Sequence, residues 1–116
     1  MNAIARGYSI FGALACGVSV ALGAYASHVA QAQDGKRLAI AALFAFAHGL
    51  TLIVIFSRPS RLAGWAMFCF AFGIALFSGS LALAVFFGAP TTLAPFGGSL
   101  LMLGWGILAV DLFRAG

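Results

Sequence analysis

Along the chain, long apolar stretches alternate with short polar breaks, and four of them stand out. The first runs from about Tyr8 to Ser27, entered after Arg6 and closed by His28. The second runs from about Leu38 to Ser57, between Lys36-Arg37 and the Arg58-Pro59-Ser60-Arg61 break. The third covers about Leu62 to Phe87, and the fourth about Leu93 to Phe113. Each is long enough to cross a hydrocarbon core of about 30 Å, which takes about 20 residues at 1.5 Å each. In lipid, every backbone N–H and C=O must be satisfied within the segment, so such runs are helices. The pattern predicts an all-α integral membrane protein, a four-helix transmembrane bundle with short loops, as a single domain over residues 1–116.

Two local signals refine the boundaries. Thr91 and Thr92 are placed to cap the start of the fourth helix, which leaves Pro95 in its first turn, where a missing N–H costs little. Ala30-Gln31-Ala32 has the small-residue spacing of a secretory cleavage site. The apolar run before it exceeds the 7–15 residues of a signal core, so the first stretch is read as a retained helix. The polar segment from His28 to Arg37 is expected to form a short surface turn. No internal repeat marks an inverted-repeat transporter.

Composition strengthens this reading. Apolar residues make up 64% of the chain and charged residues 7%, against about 25% charged in an ordinary soluble domain. The net charge of +4 comes from six basic residues scattered over several loops, which form no patch suited to nucleic acid. Their use is topological. One side would carry Arg6, Arg58, Arg61 and Arg114, and the other Lys36 and Arg37. The positive-inside bias then puts both termini in the cytoplasm.

Helices in lipid associate through close packing of small residues and a few interhelical hydrogen bonds. Ala15, Ser19, Gly23 and Ser27 recur every fourth residue in the first helix, as do Ala41, Ala45 and Gly49 in the second and Ala71, Ala75 and Gly79 in the third. These stripes are the expected packing surfaces. Trp105 lies about 18 Å along the fourth helix, where its indole N–H requires a partner such as a serine hydroxyl or a backbone carbonyl.

The inventory for chemistry is small. His48 is the ionisable group, apart from the thiols of Cys16 and Cys69, that falls well inside a span, about 15 Å from its start. Intramembrane ionisable residues are functional candidates because they are costly to bury. Ser78 falls at similar depth, so a polar centre of His48, Ser78, Ser80 and Ser99 would bind a small polar ligand or relay a proton. Alternatively, His48 is neutral and bridges helices by hydrogen bonds. His28, at a helix end beside the polar linker, is read as a wetted interfacial histidine. Cys16, His48 and Cys69 share a depth but lack the local spacing of a metal site, and no haem attachment motif accompanies His28 and His48. No cofactor is implied.

Asp34 and Asp111 are the two carboxylates, and they lie toward opposite faces, so no acid–base pair can be assembled. Asp111 is expected to pair with Arg114, three residues on. No nucleotide-binding loop, zinc-protease motif or nucleophile elbow occurs, and the chain is read as no enzyme.

Several segments together carry a resemblance: Leu22-Gly23-Ala24-Tyr25-Ala26-Ser27-His28, then His48, Phe77-Ser78-Gly79-Ser80-Leu81, Ala94-Pro95-Phe96-Gly97-Gly98 and Gly104-Trp105. In that order the chain resembles the small bacterial membrane proteins grouped as domain of unknown function 423, the YgdD-like family, related to a eukaryotic small transmembrane protein. The resemblance implies four inner-membrane helices and no established activity. The family pattern has Tyr-Gln where this chain has Phe44-Ala45, and Thr where it has Ala94; the linker after His28 is shorter. The three substitutions remove polar groups, which favours a packing role for His48. The reading is a structural or accessory protein among membrane lipids, as a subunit of a larger membrane complex or a homo-oligomer. The alternative is small-molecule or proton handling at His48 and Ser78.

Overall fold

A computed structural model describes residues 2–28 and 31–115, and all of its regular structure is helical. Helix α1 spans Ala3–His28, α2 Ala32–Ile55, α3 Arg61–Phe87 and α4 Ala94–Ala115. All four are long and apolar enough to cross a membrane. The bundle measures 46 × 24 × 22 Å, so its long axis exceeds the roughly 30 Å of hydrocarbon and the helix ends reach into the interface.

The helices are longer than the apolar runs that announce them. Helix α1 begins five residues before Tyr8, and α2 begins at Ala32, taking Asp34, Lys36 and Arg37 into its first turns. Hydropathy marks where lipid begins, whereas the helix continues into the headgroup layer until a breaker stops it. The polar segment before Arg37 is therefore largely helix. Val29 and Ala30 lie outside the described residues, as does that part of the Ala30-Gln31-Ala32 signal.

Identifiable caps define the other ends. Asn2 Oδ1 accepts the N–H of Ala5 at 2.7 Å to start α1, and Ser60 Oγ accepts the N–H of Ala63 at 3.0 Å to start α3. Gly88 stops α3 in the left-handed region at φ 68, with its N–H bonded to Ala84 O. Pro95 does fall in the first turn of α4. The expected threonine side-chain cap is not made: Thr91 accepts the N–H of Ala94 through its backbone carbonyl at 3.1 Å instead.

Helix α1 packs on α2, α2 on α3 and α3 on α4, with a lighter contact between α1 and α3. The buried positions recur at alternating steps of three and four. In α4 they are Ala94, Gly97, Leu101, Gly104, Leu108 and Asp111; in α3 the same spacing runs through Ala63, Ala66, Phe70, Gly73, the half-buried Phe77, Ser80 and Ala84, within a wider buried face that also holds Met67, Cys69, Ala71, Ile74 and Ser78. That period averages 3.5 residues, the repeat of a left-handed helix pair.

The four-residue stripes of α1 and α3 leave the seam for the same reason. Each step of four turns about 40° past a full revolution, so three steps rotate a side chain roughly 120° off the seam. Ala15 and Ser19 are buried in α1, but Gly23 is only half-buried with open space at its Cα, and Ser27 is exposed. In α3, Ala71 is buried, Ala75 is exposed and Gly79 borders open space. In α2, Ala41, Ala45 and Gly49 are all buried, because that helix is covered from two sides.

The closest approaches use Gly49, as its stripe predicts, together with glycines outside the stripes. A Cβ on Gly12 would lie 2.5 Å from Gly49 O, and one on Gly49 would lie 2.6 Å from Gly12 O. On α3 and α4 the contacts interlock. Leu101 fills the space over Gly73, Phe70 fills the space over Gly104, and the Phe77 backbone lies against Gly97. Phe70, Leu38 and Leu52 are the largest fully buried side chains.

Candidate functional site

Near mid-bundle, α2 and α4 meet through His48 and Trp105. The indole Nε1–H donates to His48 Nε2 at 2.9 Å. His48 Nδ1 lies 2.7 Å from Phe44 O, one turn earlier in its own helix. Because Nε2 accepts, the proton of a neutral ring must sit on Nδ1, where it is donated to the Phe44 carbonyl. Both ring nitrogens are thus engaged. A second proton on Nε2 would turn the acceptor into a donor facing the indole N–H and break the bond.

An aromatic cage surrounds the ring. Phe44 stacks on it at 5.8 Å between centroids, Phe70 lies at 5.6 Å, and Trp105 meets it edge-on at 5.7 Å. Phe70 also meets Trp105 edge-on at 4.9 Å, a favoured arrangement for aromatic pairs. Gly104 makes this possible: a Cβ there would fall 2.7 Å from Phe70 Cε1. One residue therefore seats Phe70 on α4 and leaves the next, Trp105, reaching across to α2. His48 is 7% exposed, and Trp105, 44% exposed, presents its outer edge to lipid.

The expected serine partners of this centre are elsewhere. Ser78 donates to Ala41 O at 2.8 Å, two turns along α2 from His48, and so ties α3 to α2 independently. Ser80 is buried and its hydroxyl has no partner among the described residues. Ser99 is exposed and donates to Pro95 O in its own helix. Ser78 therefore sits about two turns from the level of His48, and Ser80 and Ser99 do not reach the ring either, so the four residues form no common polar centre. Cys16 Sγ donates to Phe46 O at 3.6 Å, and Cys69 packs beside Gly104. Among the described residues, no three His, Cys, Asp or Glu side chains come together as a metal site.

A second polar cluster, not foreseen in the sequence, closes the end of the bundle where α2, α3 and α4 meet. Arg58 Nε donates to Asp111 Oδ2 at 2.7 Å, and Ser60 Oγ donates to Asp111 Oδ1. Asp111 therefore pairs with Arg58 in the α2–α3 turn, and the expected partner, Arg114, is exposed. The reason is orientation. Asp111 continues the buried seam of Gly104 and Leu108, whereas Arg114 lies on the outer surface. Ser60 both caps α3 and holds the carboxylate, so one hydroxyl joins the start of α3 to the end of α4.

Beside this cluster lies a cavity of about 720 Å³ lined by Asn2, Tyr8, Arg58, Arg61, Gly64 and Trp65 among others. It opens at the end that carries Arg6 and Arg114, opposite to Lys36 and Arg37.

The profile of the family described as Protein of unknown function (DUF423) matches residues 22–98, which include His48, Ser78 and the glycine seam of α3. A UPF0382 membrane protein of Staphylococcus aureus (strain bovine RF122 / ET3-1) is 32% identical over 119 residues, covering 92% of this chain and 95% of its own length. No solved structure matches the chain.

Proposed function

From the premise that the chain belongs to this family of membrane proteins of unknown function, we propose that it serves as a structural or accessory component that associates laterally in the membrane. The observation that carries the proposal is the outer face of α1, the least covered of the four helices. Ala3, Gly7, Ile10, Leu14, Gly17, Ala21 and Ala24 follow the same three-and-four spacing as the buried seams, yet all are exposed. Mostly small residues on a lipid-facing helical seam permit the close backbone approach by which helices associate in lipid. The inner seam of α1, with Ala5, Gly12, Ala15 and Ser19, already uses this device against α2.

The alternative of small-molecule or proton handling has less support, because His48 already has both nitrogens bonded and Ser78 is committed to Ala41 O. A catalytic role is likewise disfavoured, with Asp34 and Asp111 at opposite ends. The cluster of arginines at the end holding both termini supports a cytoplasmic location for that end, and the bacterial relative supports a bacterial inner (plasma) membrane as the host.

The test is the mass and composition of the protein purified from native membranes in mild detergent. A complex heavier than the 11.9 kDa chain is expected, and Gly17→Leu should dissociate it while leaving the helical content intact. A monomer in the wild type would refute lateral association.

A further inference from the structure

We propose that the cavity beside the Arg58–Asp111 pair binds the headgroup of an anionic phospholipid. Its lining is graded in polarity along the bundle axis. Asn2, Arg58 and Arg61 lie at the end of the bundle, while Tyr8 and Trp65 are set further in, roughly 9 Å and 6 Å along their helices from Asn2 and Arg61. Charge at the rim with aromatic rings below matches a phosphate headgroup with its acyl chains, and aromatic side chains of this kind collect at the membrane interface. A free phosphate would use the rim and leave the apolar wall uncovered.

The charge balance also favours an anion. Arg58 commits its Nε to Asp111, and its terminal amino groups make no hydrogen bond among the described residues. Arg61 is exposed and forms no ion pair there. Asp111 answers one of the two guanidinium charges, so the cavity keeps a positive excess. Gly64, on the turn between Arg61 and Trp65, leaves room: a Cβ there would meet nothing within 4 Å. A volume of about 720 Å³ also falls in the range of about 300–1,000 Å³ typical of small-molecule sites.

The experiment is native mass spectrometry of the full chain in detergent, with phosphatidylglycerol and phosphatidylcholine at equal concentration. Preferential retention of phosphatidylglycerol is expected. Each basic residue near a membrane surface contributes about 1 kcal/mol toward anionic lipid, so Arg61→Gln should reduce the preference about fivefold. Gly64→Leu, which keeps the charge and fills the space, should lower retention of phosphatidylglycerol as well. The double variant Lys36→Gln, Arg37→Gln removes two charges at the opposite end and should leave the preference unchanged. Equal retention of the two lipids by the wild type would overturn the proposal. So would an equal loss in the Lys36/Arg37 variant, which would show diffuse charge attraction, or displacement of the lipid by inorganic phosphate alone, which would assign the rim to a free anion.

Discussion

The bond between Trp105 and His48 joins α2 to α4, two helices that otherwise touch little, and its contribution to stability can be worked out from the geometry. Trp105→Phe keeps an aromatic ring against Phe70 but removes the N–H, leaving His48 Nε2 without a donor in a nearly closed site. Interhelical hydrogen bonds in membranes are worth about 0.6 kcal/mol on average and about 1.7 at most. An orphaned buried acceptor costs about 1–3 kcal/mol. Because half of Trp105 faces lipid, little packing is lost, and a destabilisation of about 1–2 kcal/mol is expected. His48→Leu should cost a similar amount by stranding the indole N–H instead. In the double variant neither orphan remains, so the combined loss should fall short of the sum by about 1 kcal/mol. Reversible unfolding in mixed micelles, followed by circular dichroism, would measure all four corners of the cycle. Additivity to within about 0.5 kcal/mol would refute the coupling. The nitrogen resonances of His48 supply a separate check: the wild type should show a protonated Nδ1 and a bare Nε2, and the opposite tautomer would contradict the hydrogen-bond assignment.

Other predictions test the seams and the ion pair. Gly97→Ala would drive a methyl group against the Phe77 backbone, at 2.8 Å from its Cα, and should cost about 1–3 kcal/mol as overpacking, read in the same unfolding assay. Gly79→Ala meets nothing within 4 Å and should be tolerated within about 0.5 kcal/mol, although the four-residue stripe assigns it a packing role. Arg58→Ala should lower the thermal midpoint by leaving the Asp111 carboxylate without its cation, whereas Arg114→Ala should not; equal effects would show that the pairing is wrong. Ser78→Ala should cost about 0.6–1.7 kcal/mol through loss of the bond to Ala41 O, and Ser99→Ala, on the surface, close to nothing.

The four helices and their membrane setting were legible in the sequence because they depend on a one-dimensional property. Apolar length against bilayer thickness decides them before any side chain meets another. Depth was legible in part: 1.5 Å per residue set His48 and Trp105 at nearly the same level, but it also set Ser78 there, and Ser78 meets α2 two turns away at Ala41, because α2 begins six residues before its apolar run. The need of the indole for a partner could be stated in advance too. Which partner it finds could not, because that depends on how each helix is rotated about its axis, and equal depth says nothing about rotation. The tertiary structure turned His48 toward Trp105 and turned Ser78 toward Ala41, leaving Ser80 and Ser99 on other faces. It also chose Arg58 over Arg114 for Asp111, because a contact between residues 53 apart arises only once α4 packs against the α2–α3 turn. The seams lie between these cases. Their small residues are present in the sequence, but the choice of Gly12, Gly73, Gly97 and Gly104 over Gly23 and Gly79 was made by a 3.5-residue packing period, which exists only when two helices wind against each other.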